Sequence, residues 1–94
     1  MDARLKDLPA GVVLNALSSA VFEVLSRYTV FPWPVMVAQC KRVHVDPQNL
    51  GKDELAKALP YLAIGVGRFT DPTKAAATEH ELQALVKRGS STIP

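Results

Sequence analysis

The residues best suited to chemistry are Cys40 and His44, because a thiol and an imidazole can share a metal ion or form a nucleophile–base pair. They are four positions apart in a segment predicted to be helical, so both side chains should lie on one face. A zinc site needs about four ligands, and the other histidine of the chain, His80, follows much later. We therefore interpret Cys40 as a buried structural thiol and His44 as a surface residue. We predict no metal site, no catalytic residue and no enzymatic activity.

Two further motifs lack the residues that their chemistry requires. The segment around His80 has no second histidine four residues later, where a zinc protease motif needs one and where Ala84 stands instead. Gly65-Val66-Gly67 begins like a dinucleotide-binding loop, but Thr70 occupies the place of the third glycine. No cofactor is predicted.

Residues 37–59 can be interpreted as helix, turn and helix, with Lys52 and Lys57 as phosphate contacts. A recognition helix usually presents base-reading side chains near its start, whereas this one begins Lys-Asp-Glu-Leu, and its carboxylates would repel the DNA backbone. The basic doublets Lys41-Arg42 and Lys87-Arg88 form no continuous stripe. A small DNA-binding regulator is therefore the alternative rather than the preferred interpretation.

An aromatic-proline segment, Phe31-Pro32-Trp33-Pro34, separates the first two predicted helices. Each proline disfavours helical geometry at the residue before it. Trp33 is typical of binding hot spots, because one rigid ring covers a large apolar area. Trp33 can also fill the end of a helical bundle as a core residue, which is slightly favoured, and the sequence does not separate the two options. Phe31 and Trp33 are predicted partner contacts on the first option.

The first helix is predicted from Pro9 to Tyr28, with Asp7 as its cap. Its polar residues form one narrow stripe, and the rest of its circumference is apolar. A helix of this kind is usually central or shared between subunits. We therefore expect a homodimer formed through this helix, with Val13 and Val21 as contacts.

Proline and glycine set the other predicted boundaries. A second helix starts at Pro34 and stops before Asp46-Pro47, and a third starts near Gly51. Pro60 is expected to kink or divide the third helix, and residues 61–70 are left open as helix or strand. A last helix runs from a cap at Thr70 or Asp71 to Gly89, and a mobile tail follows over 90–94.

Composition limits the fold and the class of protein. The chain has 94 residues, of which 48% are hydrophobic and 21% charged, with a net charge of +2. Length and composition predict one domain over 1–89. The helical spacing of its apolar residues, with no sustained period-two alternation, predicts an all-α compact bundle of four to five short helices. The lone cysteine indicates a reducing compartment, and the N-terminus lacks the pattern of a secretory signal.

The most apolar stretch is shorter than the roughly 20 residues of a membrane span. We therefore expect a cytoplasmic protein that does not bind membranes. The function predicted is a non-catalytic protein–protein interaction or regulatory module that binds a protein partner and forms a homodimer.

Overall fold

The computed structural model describes residues 11–91. They form four helices, which we number α1 (Ala16–Tyr28), α2 (Pro32–Arg42), α3 (Lys52–Phe69) and α4 (Pro72–Ser91). No strand occurs within 11–91. The predicted all-α bundle is confirmed.

Helix α1 begins later than predicted. Residues 11–15 are not helical, and Asn15 has extended backbone geometry. Its side-chain oxygen accepts a hydrogen bond from the Ser18 backbone N–H at 2.8 Å, which makes it the N-cap. The predicted helical start was therefore wrong over 11–15, while Asp7 and Pro9 lie outside the described residues.

Helix α2 begins at Pro32 and ends at Arg42. Beyond its end, His44 has a φ of 59°, in the left-handed region. The His44 N–H donates to the Lys41 carbonyl at 3.2 Å, and the Val45 N–H donates to the Cys40 carbonyl at 3.0 Å. These two bonds form a Schellman motif that satisfies the last carbonyls of the helix.

Helix α3 continues through Pro60 to Phe69, so residues 61–69 are helical and the strand option is excluded. Proline has no N–H to give the carbonyl of Ala56. Both residues lie on the exposed side of the helix, where that carbonyl can meet solvent. At the start of the helix, the Glu54 carboxylate accepts from the Gly51 N–H at 3.1 Å.

Helix α4 starts as predicted, with the Asp71 carboxylate accepting from the Lys74 N–H at 2.9 Å. Its predicted end at Gly89 was wrong, because the helix continues to Ser91. A glycine inside a helix costs only about 1 kcal/mol and ends it only when its backbone turns left-handed. The predicted tail therefore overlaps the helix at 90–91, and residues 92–94 lie outside the described part.

The helices pack in the cyclic order α1, α2, α3, α4, with α1 also adjacent to α4. Glycines allow close approach on both sides of α3. A Cβ added at Gly65 would lie 3.0 Å from Val35 of α2, and one at Gly67 would lie 3.0 Å from Ala75 of α4. The core between the helices is aliphatic, with one thiol and one aromatic ring: Val21, Phe22, Val24, Leu25, Val35, Met36, Cys40, Leu50, Leu55, Ala58, Leu59, Leu62, Val66 and Leu82.

Candidate functional site

The thiol–imidazole pair considered first is not assembled. Cys40 is fully buried, and burial together with the nearby charge of Asp46 raises the pKa of its thiol to about 11. His44 is exposed beyond the end of α2, so the two residues do not share a helical face. Within residues 11–91, no three His, Cys, Asp or Glu side chains are grouped to hold a metal ion.

The predicted contacts of the first helix are divided between surface and core. Val21 is 0% exposed, so it is a core residue and has no surface to offer a partner. Val13 is 77% exposed but precedes α1. The apolar sides of α1 are covered by the chain's own helices, which removes the reason for placing a dimer interface there.

The aromatic residues after α1 are also divided. Phe31 is 48% exposed and lines a cavity of about 340 Å³ with Val30, Thr70 and Lys74. Trp33 is half-buried and packs against the core. Phe31 and Val13 lie beyond opposite ends of α1, a helix of about 20 Å. The four predicted partner contacts therefore do not form one surface.

A polar staple, which the sequence did not predict, joins the start of α1 to the loop before α3. The Ser18 hydroxyl oxygen accepts from the buried Leu50 N–H at 3.0 Å. The Asn15 amide donates to the Leu50 carbonyl at 3.0 Å, and the Asn15 N–H donates to the Gln48 carbonyl at 2.9 Å. Both backbone groups of Leu50 are thereby satisfied while its side chain is in the core.

A second polar contact joins α1 to α4. The Glu81 carboxylate accepts hydrogen bonds from the Arg27 guanidinium and from the Tyr28 hydroxyl. The hydrogen bond to Glu81 raises the pKa of Tyr28 above its ordinary value. These polar contacts hold both ends of α1 to the rest of the bundle.

Among residues 11–91, the outer side of the α3–α4 pair has two neighbouring cavities of about 420 and 380 Å³. Pro60 and Glu79 line both of them, and we call the two cavities together the α3/α4 groove. Ile64, at one end of the groove, is 49% exposed. Most of the residues that line the groove are apolar: Ala56, Leu59, Pro60, Ala63, Ile64, Pro72, Ala75, Ala76 and Val86. The polar residues of the lining are Glu79, Gln83 and Lys87.

The region of the DNA-binding alternative lacks helix-turn-helix geometry. Nine residues, 43–51, connect α2 to α3, whereas the motif uses a turn of three or four. The two helices do expose a small basic surface. The Arg42 guanidinium lies 5.6 Å from the centre of the Tyr61 ring, and Lys57 is one helical turn before Tyr61.

No family model, no curated protein and no solved structure matches the chain. None of the helices described over residues 11–91 is long and apolar enough to cross a membrane. The surfaces of the molecule, above all the α3/α4 groove, are therefore what can indicate a function.

Proposed function

We propose that the protein is a non-catalytic helical interaction module that pairs with a second copy of itself through the α3/α4 groove. The observation that supports this most directly is the groove itself, whose lining between the outer sides of α3 and α4 is largely apolar. Grooves of this form accept an amphipathic helix. Cys40, a buried free thiol, supports a reducing compartment such as the cytoplasm as the place of action.

A second copy is favoured as the partner because the polar residues of the groove include both charge signs. Glu79 and Lys87 lie on the same helix and edge the same cavity. A twofold pair requires a patch that is complementary to itself, and opposite charges on one patch meet that requirement. The groove thereby takes the role that the sequence assigned to α1.

Sedimentation equilibrium at micromolar concentrations tests self-association directly. The change Ala56→Glu places a carboxylate among the apolar residues of the groove at an exposed helical position that tolerates it. We expect a dimer for the unmodified protein and at least tenfold weaker association for Ala56→Glu.

The matched control is Ala38→Glu, which adds the same charge at an exposed alanine of α2. It should associate like the unmodified protein. If the unmodified protein is still monomeric at a concentration about 100-fold above the micromolar range, self-association is wrong. If Ala56→Glu and Ala38→Glu weaken association equally, the groove is not part of the interface.

The DNA-binding regulator remains a second candidate, supported by the exposure of Lys41, Arg42 and Lys57 near Tyr61. Three phosphate contacts would give weak binding that falls steeply with salt. Fluorescence anisotropy with a labelled 20-base-pair duplex separates the two proposals. Binding by the unmodified protein that is weakened in Lys57→Ala, together with a monomeric state in sedimentation equilibrium, would favour the DNA-binding interpretation.

A further inference from the structure

Three polar residues of α4 recur at steps of four along the edge of the α3/α4 groove: Glu79, Gln83 and Lys87. Steps of four keep side chains on one side of a helix, and all three are exposed. We propose that Gln83 lies on the twofold axis of a homodimer in which α4 packs antiparallel to the α4 of the second copy. This inference rests on the proposed self-association and adds its geometry.

The charges select the antiparallel direction. About an axis at Gln83, the residue four positions earlier in one helix faces the residue four positions later in the other. Glu79 therefore faces Lys87 of the second copy, and the symmetry repeats this ion pair. A parallel arrangement would place each charge against its own kind, which is destabilising.

Gln83 suits a position on the axis, where a side chain meets its own copy. A charged residue there would face an identical charge. The glutamine amide contains both donors and an acceptor, so two copies can hydrogen-bond to each other. The polar residue at the centre of the pattern is therefore compatible with the symmetry.

Apolar residues flank this polar row on the α3 side. The cavity of about 420 Å³ beside Gln83 is lined by Ala56, Leu59, Pro60 and Val86. A helix lying over Gln83 would cover this cavity and supply the apolar burial that drives association. The ion pairs then determine direction and register, because exposed pairs add only about 0.2–1 kcal/mol each.

Charge reversal tests the register. Glu79→Lys and Lys87→Glu each replace two attractive contacts per dimer with two repulsive ones, and each should weaken association about tenfold. Combining Glu79→Lys with Lys87→Glu restores opposite charges and should recover most of the lost affinity. Sedimentation equilibrium at low salt gives the dissociation constants, and circular dichroism verifies that each variant is folded.

Lys74→Glu is the matched control for Lys87→Glu. Lys74 is an exposed lysine of the same helix that lines a different cavity, so its reversal should leave association unchanged. Additive weakening in the double variant, with no recovery, would overturn the antiparallel register.

A cross-link provides a measurement that does not depend on charge. Two copies of a residue on a twofold axis between packed helices come close enough for a disulfide, whose Cα atoms are usually 4.4–6.8 Å apart. Gln83→Cys should form a covalent dimer on mild oxidation, while Lys74→Cys should not. Cys40 is fully buried and will not compete.

The two proposals fail in different ways. If the unmodified protein is monomeric, self-association itself is wrong. If it dimerises but Gln83→Cys does not cross-link and the charge reversals have no effect, self-association holds and the antiparallel pairing at Gln83 is wrong.

Discussion

Helices α1 and α3 are both rich in apolar residues, yet they use them differently. The large side chains of α1, including Val21 and Leu25, are buried by α2, α3 and α4. Helix α3 also has a buried side, but its outer side leaves Ile64 and Tyr61 partly exposed. The apolar side chains of α1 are thus covered by its neighbours, whereas α3, which contains Pro60, leaves one of its apolar sides in contact with solvent.

The difference shows that exposure depends on the neighbours of a helix as much as on its own pattern. Helix α1 packs against both α2 and α4 and is fixed at its start by the polar staple. Helix α3 has neighbours on two sides as well, but nothing described covers the outer side of its contact with α4. An apolar circumference therefore indicates a central helix more reliably than an interface.

The largest expected effect on stability is the difference between a lysine placed on the buried side of α1 and a lysine placed on the exposed side of α3. Val21→Lys buries an unpaired charge and should lower the free energy of unfolding by about 4 kcal/mol or more. Ile64→Lys should change it by only about 0.5 kcal/mol, because the side chain can remain in water. Urea denaturation at low protein concentration measures both, and similar losses would contradict the comparison.

A smaller effect is expected at the polar staple. Ser18→Ala leaves the buried Leu50 N–H without its acceptor and should cost about 1–3 kcal/mol of folding free energy. Ser19→Ala is the matched control, because Ser19 is exposed on the same turn and alanine favours a helix. Equal stability of the two variants would show that the staple does not secure α1.

The stability of the core should also depend on alkaline pH, because Cys40 of α2 is buried in it. Its pKa is raised from 9.0 to about 11 in the folded protein, so folding favours the neutral thiol. The part of the folding free energy that comes from keeping this thiol neutral is fully present below about pH 9. It is lost as the pH rises through about 11. The expected loss is about 2–3 kcal/mol relative to Cys40→Ala, because one pKa unit corresponds to about 1.4 kcal/mol.

Denaturation curves of the unmodified protein and of Cys40→Ala at pH 8, 9, 10 and 11 measure this loss. The titration of other groups is common to the two proteins, so it cancels in the difference between their free energies of unfolding. A constant difference across the series would mean that the thiol ionises equally well in the folded and unfolded chains.

The smallest effect is expected outside both regions, at the end of α2. His44 occupies a left-handed conformation that glycine adopts without steric cost, although glycine loses more entropy on folding. His44→Gly should therefore raise stability by about 0.5 kcal/mol, whereas His44→Val should lower it by about 1–2 kcal/mol. Thermal melts distinguish the two, and a gain with valine would contradict the backbone argument.

The sequence predicted those parts of the fold that depend on local pattern. Leu55, Leu59, Leu62 and Val66 recur at steps of three and four in the sequence and are buried on one side of α3. The start of α4 follows from Asp71 and Pro72. Cys40 is buried and His44 is exposed, as predicted. Each of these features leaves a signal in the residue types within a few positions of one another.

What the sequence did not reveal depends on residues far apart in the chain. Asn15 fitted the polar stripe of a longer helix, and its role as a cap is reinforced by bonds to Gln48 and Leu50. The α3/α4 groove lies on the outer side of the α3–α4 hairpin, where no further helix of residues 11–91 packs. No spacing within either helix could indicate this. The interface proposed from the structure therefore lies on other helices than the one to which the sequence pattern pointed.

The burial of Cys40 has a practical consequence. It is the single cysteine of the chain, and a thiol-reactive dye cannot reach it while the core is intact. Reaction with such a dye would occur only when the bundle opens, so its rate in excess reagent reports how often the native protein exposes its core. The chain thus contains a native reporter of its own opening kinetics, at a position where no engineered cysteine is needed.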